Sequence, residues 1–64
     1  MRKKSRIKPF LQEIEKAWIG NNTLIDWRFG QLLFNFFSAY GDPFYWEEDE
    51  FIQKFKEYTA SIKL

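Results

Sequence analysis

The residue types that usually run chemistry at neutral pH are missing from this chain of 64 residues. It has no His and no Cys. That removes the common general base, the thiol nucleophile, disulfides and the zinc sites that rely on these two ligands. The carboxylates Glu47, Glu48, Asp49 and Glu50 are consecutive. On a helix four such side chains point around the axis and cannot converge on one ion, and the run lacks the ligand spacing of a calcium loop. At the start of a helix they complement the positive end of its dipole. No glycine-rich phosphate loop is present. The expectation is a non-enzyme with no catalytic residue, no cofactor and no metal.

The cations offer a second chemistry. Arg2, Lys3, Lys4, Arg6 and Lys8 form a basic head able to contact phosphates, which Lys54, Lys56 and Lys63 would extend. Two helices around Gly20 superficially suggest a helix-turn-helix. The recognition helix would then be the central one, which offers only Arg28, Gln31 and Asn35 among bulky apolar residues. A nucleic-acid-binding regulator is therefore the alternative, not the leading reading. Otherwise the head is a solvated terminus, or it meets the acidic run of its own chain or of a dimer mate. The net charge of +1 favours neither DNA binding nor acidic mimicry.

Aromatic side chains are the remaining resource, at 22% of the chain. Large rings bury much area per residue and are enriched at protein interfaces. They concentrate in Thr23–Tyr40, TLIDWRFGQLLFNFFSAY, which is apolar almost all the way round a helix and so belongs in the middle of the fold. Asp26 is the expected N-cap, with Thr23 competing for that role, and Gly41 ends the helix. At ~100° per residue, Phe29, Leu32, Leu33, Phe36, Phe37 and Tyr40 share one broad core arc. Arg28, Gln31, Asn35 and Ser38 form a narrow polar stripe. Beyond it Trp27 and Phe34 stack on one side with Gly30 beside them. A glycine inside a helix costs about 1 kcal/mol relative to alanine, which suggests close approach of a backbone or a large ring. Trp27 and Phe34 either pack on the chain's own helices or form a second apolar face that a partner covers. Trp27, Gly30 and Phe34 are thus the candidates for self-association or partner contact, with Arg28, Gln31 and Asn35 at the margin.

The flanking segments are apolar on one side only. Ile7, Phe10, Leu11, Ile14, Ala17 and Trp18 follow three-and-four spacing, with Pro9 admissible only in the first turn. Phe51, Ile52, Phe55, Tyr58 and Ile62 form the stripe of a third helix, where Glu50 and Lys54 are spaced for an i,i+4 pair. Between the second and third helices, Gly41-Asp42-Pro43 signals a turn. Phe44, Tyr45 and Trp46 follow it, either as a plug on the core or as an exposed anchor, with Tyr45 and Trp46 as second-choice contacts. The fold expected is all-α, one domain over 1–64, with helices near 7–20, 26–40 and 47–62 and a flexible basic head at 1–6. So small a fold usually needs supplementing, and self-association into a homodimer is the natural means.

No secretory pattern is read at the basic start, and the central stretch is too short and too interrupted to span a bilayer. A cytoplasmic protein is expected, without membrane contact. Asn21-Asn22-Thr23 matches a glycosylation pattern, which is treated as chance.

Asp26-x-Arg28-Phe29-Gly30-Gln31-Leu32 with Asn35 after it, and Asp42-Pro43-Phe44-Tyr45-x-Glu47, resemble segments of a group of short, mostly uncharacterised proteins. These occur in Gram-positive bacteria and their phages and prophages. Trp18 fits the same pattern, and the resemblance spans roughly residues 7–58. The group usually has a proline before the aspartate where this chain has Ile25, so its helix start is less sharply set. The resemblance implies an accessory protein of a phage or mobile element, a modulator or inhibitor that binds a host protein, of the anti-defence type. A structural subunit of a phage particle is the other reading of that setting.

Overall fold

Phe36 organises the packing. Its ring is fully buried and lies 5.2–5.9 Å, centroid to centroid, from those of Phe37, Tyr40, Trp46, Phe51, Phe55 and Tyr58. Edge-to-face and tilted contacts at these distances add to the stabilisation from burial alone. The structure is a computed structural model that describes residues 2–62; the basic extension expected at Lys63 lies outside the described residues, as does Met1 of the head.

The architecture is all-α with three helices: α1 (Ile7–Ile19), α2 (Phe29–Tyr40) and α3 (Glu48–Ser61). Among the described residues there is no strand. Pro9 lies in the first turn of α1, where a missing N–H costs little. Glu48, Asp49 and Glu50 occupy the first turn of α3, as its dipole favours. α1 packs on α3, and α3 packs on α2. Ile14, Leu24, Leu32, Phe36, Phe55 and Tyr58 form the buried core, with Phe10, Ala17, Trp18, Trp46, Phe51, Ile52 and Ile62 packed around it.

The start of α2 corrects the expectation. The helix begins at Phe29, and neither Asp26 nor Thr23 caps it. Leu24–Asp26 instead forms a separate 3-10 turn, closed by the Trp27 N–H donating to the Leu24 carbonyl at 3.0 Å. Trp27 (ψ 143°) and Arg28 (ψ 149°) are then extended. The turn exists because Leu24 is fully buried and accepts, through its carbonyl, a 2.6 Å hydrogen bond from the Trp18 indole. A long-range contact therefore outweighs local helix periodicity. The Thr23 hydroxyl is left buried without a partner.

Asn21 joins the ends of two helices. Its Nδ2 donates to the carbonyls of Thr59 and Ile62 at 2.8 and 2.9 Å, while its Oδ1 accepts from the Thr23 and Leu24 N–H groups at 2.9 and 3.2 Å. These bonds satisfy carbonyls at the C-terminal end of α3 that have no partner within the helix. At the end of α2, Gly41 takes φ 97°, a left-handed conformation that favours glycine. Asp42 Oδ1 accepts from the Phe44 N–H at 3.0 Å, completing the expected turn.

Lys4–Arg6 forms a 3-10 turn, and Arg2 forks onto the Glu47 carboxylate, with Nη2 to Oε1 at 2.7 Å. Arg6 meets Glu48 at 3.2 Å. The head thus meets the acidic run of its own chain. Lys56 pairs with Glu13 at 3.1 Å and Lys54 with Glu50 at 2.9 Å.

Two of these pairs, Arg2–Glu47 and Lys56–Glu13, contribute to the pH response. Arg2 holds the Glu47 carboxyl below its usual range, and Lys56 does the same for Glu13. Each lowered carboxyl stabilises the fold above its unfolded pKa, and that contribution is lost as pH falls through the folded value. The Tyr58 hydroxyl is pushed up by burial. Its contribution is present below the unfolded pKa and disappears as pH rises through the folded one. Thermal melts across pH should therefore show an acid decline that Glu47→Gln and Glu13→Gln flatten. They should also show an alkaline decline that Tyr58→Phe removes.

Candidate functional site

Besides Ile25 in the 3-10 turn, large apolar side chains of the described residues remain in contact with water at three places. The first is a groove of ≈ 480 Å³ between α1 and the start of α2, lined by Leu11, Ile14, Glu15, Trp18, Ile19 and Phe29. Its floor is Ile14, and its wall is the Trp18 indole, tilted by 30° against Phe29 with ring centroids 5.4 Å apart. Leu11 is 56% and Ile19 63% exposed. Phe29 was expected in the core, and the structure places it at the edge, together with Ile7 and Leu11 of the apolar stripe of α1. The reason is topological. α1 turns Phe10, Ile14 and Ala17 towards the core, while α2 leans on α3, so the flank of α1 next to α2 stays uncovered. The shape agrees, at 41 × 22 × 18 Å with a radius of gyration of 12.0 Å, against ~11 Å for a compact domain of this length.

The second place is the outer face of α2. Phe34 is 73% exposed, and Gly30, Gln31 and Ser38 beside it are exposed too. The Ser38 hydroxyl folds back onto the Phe34 carbonyl at 2.8 Å. A Cβ at Gly30 would meet nothing within 4 Å, so nothing among the described residues makes the close approach its glycine suggested. Trp27 and Phe34 do not share a helix face, because Trp27 precedes the helix and packs against the core. Arg28 is exposed at the N-cap position and Asn35 is half-buried. Of the expected second face, Gly30, Gln31 and Phe34 remain together in solvent.

The third place is the connection from α2 to α3, where the plug and anchor readings divide between neighbours. Trp46 is the plug. It packs on Phe36 and Phe51 at 5.9 and 5.8 Å, with the Lys54 ammonium 5.0 Å from its ring centre. Phe44 and Tyr45 point away from the core, 77% and 89% exposed, edge to face at 4.9 Å. Exposed apolar side chains scattered singly are ordinary on protein surfaces, but clusters of aromatics are not.

No family model matches the chain, and no curated protein or solved structure matches it.

Among the described residues, no cluster of His, Cys, Asp or Glu could hold a metal ion, and no helix is long and apolar enough to cross a membrane. Of the basic head, Arg2 and Arg6 are paired with Glu47 and Glu48, while Lys3, Lys4 and Lys8 have no ion-pair partner among the described residues. The sequence signal for the groove is the breadth of the apolar arc of α1: Ile7, Phe10, Leu11, Ile14, Ala17 and Trp18 span ~120° at ~100° per residue, more than one neighbouring helix covers.

Proposed function

We propose that this chain is a small non-enzymatic protein-binding module, homodimeric and cytoplasmic, that acts by covering part of a partner's surface. The observation that carries this reading is the exposure of Phe44 and Tyr45 beside a well-anchored Trp46. Aromatic side chains held on a rigid base lose little freedom on docking, which favours them as interface anchors. Phe34, with Gly30 and Gln31 beside it, is a further contact. The likeness of Asp26–Leu32 and Asp42–Glu47 to phage-type proteins supports a host protein as the target, and a modulator or inhibitor of the anti-defence type as the role.

The test uses the tagged chain and its Phe44→Ser/Tyr45→Ser variant as baits in lysate of a Gram-positive host, with matched circular dichroism. Both side chains are exposed, so helix content should not change. A protein held by the wild type and released by the variant is the expected result. Capture that is equal for both, or absent for both, would overturn the reading.

A further inference from the structure

The α1 groove carries charges in a pattern that selects one occupant. Glu15 is the one charged residue in its lining. Lys8 lies two helical turns earlier in α1 and is likewise exposed, so the two charges sit on one flank of the helix with Leu11 between them. Among the described residues, neither has an ion-pair partner, while Glu13, Glu47, Glu48 and Glu50 all do. A positive and a negative charge placed symmetrically about an exposed leucine are self-complementary under a two-fold rotation.

We infer that a second copy of this chain closes the groove, α1 against α1 and antiparallel about Leu11, with Lys8 of each copy facing Glu15 of the other. The inference rests on the homodimeric reading above and names the face it uses. A parallel pairing would set Lys8 against Lys8 and Glu15 against Glu15, so the charges fix direction as well as register. Such an isologous contact closes on itself and does not propagate into a filament. The apolar content is sufficient for a reversible dimer. Ile7, Leu11, Ile19 and Phe29 are each near half exposed, and side chains of this size then present roughly 400 Å² per protomer. Two copies would bury about 800 Å² of apolar side chain plus the polar rim, the size of a weak, reversible interface. Association is expected in the micromolar range. Phe29 and Phe44 lie at opposite ends of α2, so the Phe44–Tyr45 pair stays free, one on each copy.

Charge exchange tests this arrangement. Sedimentation equilibrium is run over a wide concentration range spanning the micromolar region on wild type, Lys8→Glu, Glu15→Lys and the double exchange. All the altered residues are exposed, and circular dichroism checks that each variant is folded. The wild type should dimerise reversibly. Each single change should weaken association about tenfold by opposing like charges at two symmetric sites, and the double exchange should restore it. A wild type that stays monomeric throughout would overturn the homodimeric reading itself. A wild-type dimer that the single changes leave intact, or that the double exchange fails to restore, would overturn this face while the dimer stands. Phe44→Ser/Tyr45→Ser should sediment like wild type, and its dissociation would also overturn the assignment.

Discussion

Replacing Phe36 with alanine should abolish cooperative unfolding. Phe36→Ala removes a ring that touches six other aromatic side chains and has no exposed surface. Truncating a buried phenylalanine costs about 3–5 kcal/mol, through lost transfer energy and the cavity left behind. A domain of this length has roughly 3–10 kcal/mol in total. The chain has no disulfide to compensate. Urea titration followed by tryptophan fluorescence should show either no transition or a broad one near zero denaturant. Phe34→Ala, two residues away on the same helix, should stay within about 0.5 kcal/mol of wild type, because that ring is already in water. Equal effects at the two positions would mean that the faces of α2 are misassigned.

Asn21→Asp should be strongly destabilising although Asn21 lies outside the hydrophobic core. The substitution keeps the acceptor used by Thr23 and Leu24 but replaces the donor that serves the Thr59 and Ile62 carbonyls. A carboxylate oxygen would then face two carbonyl oxygens in a partly buried setting, at a cost of about 2–4 kcal/mol. The sign of its pH dependence is diagnostic. Those carbonyls repel the charged form, so the new carboxyl has a raised folded pKa. The variant should therefore recover stability as pH falls and its donor returns. Asn21→Ala should be destabilised without that acid recovery. Urea midpoints at neutral and mildly acid pH separate the two cases.

Helix number and order were legible from periodicity, and so was most of the core. Leu32, Phe36, Ile14, Phe55 and Tyr58 are buried where three-and-four spacing puts them. The start of α2 was not legible. Asp26 and Thr23 satisfy the local rules for a cap, but Leu24 is drawn into the core and Trp18 holds its carbonyl, contacts that no window of neighbouring residues contains. The same omission misplaced Trp27, since sharing a face with Phe34 requires an uninterrupted helix. Phe29 was read as core, and the exposure of Leu11 was not foreseen, because an apolar stripe reports which side of a helix is apolar, not how much of that side a neighbour covers. The bridging role of Asn21 had no local signal, because it depends on the end of α3 arriving beside it. The Phe44–Tyr45–Trp46 run was open to two readings because both are realised, one residue apart.

α3 is the element on which α1 and α2 both rest, and it is the last of the three in the chain. A nascent polypeptide that has reached only Gly41 therefore has two helices that share little more than the contact of Trp18 with Phe29. Leu32 and Phe36 then have no shelter, and isolated helices this short are marginal in water. Folding during synthesis must wait for Phe51, Phe55 and Tyr58 to be translated. Through that interval the most aromatic part of the chain is open to chaperones and proteases.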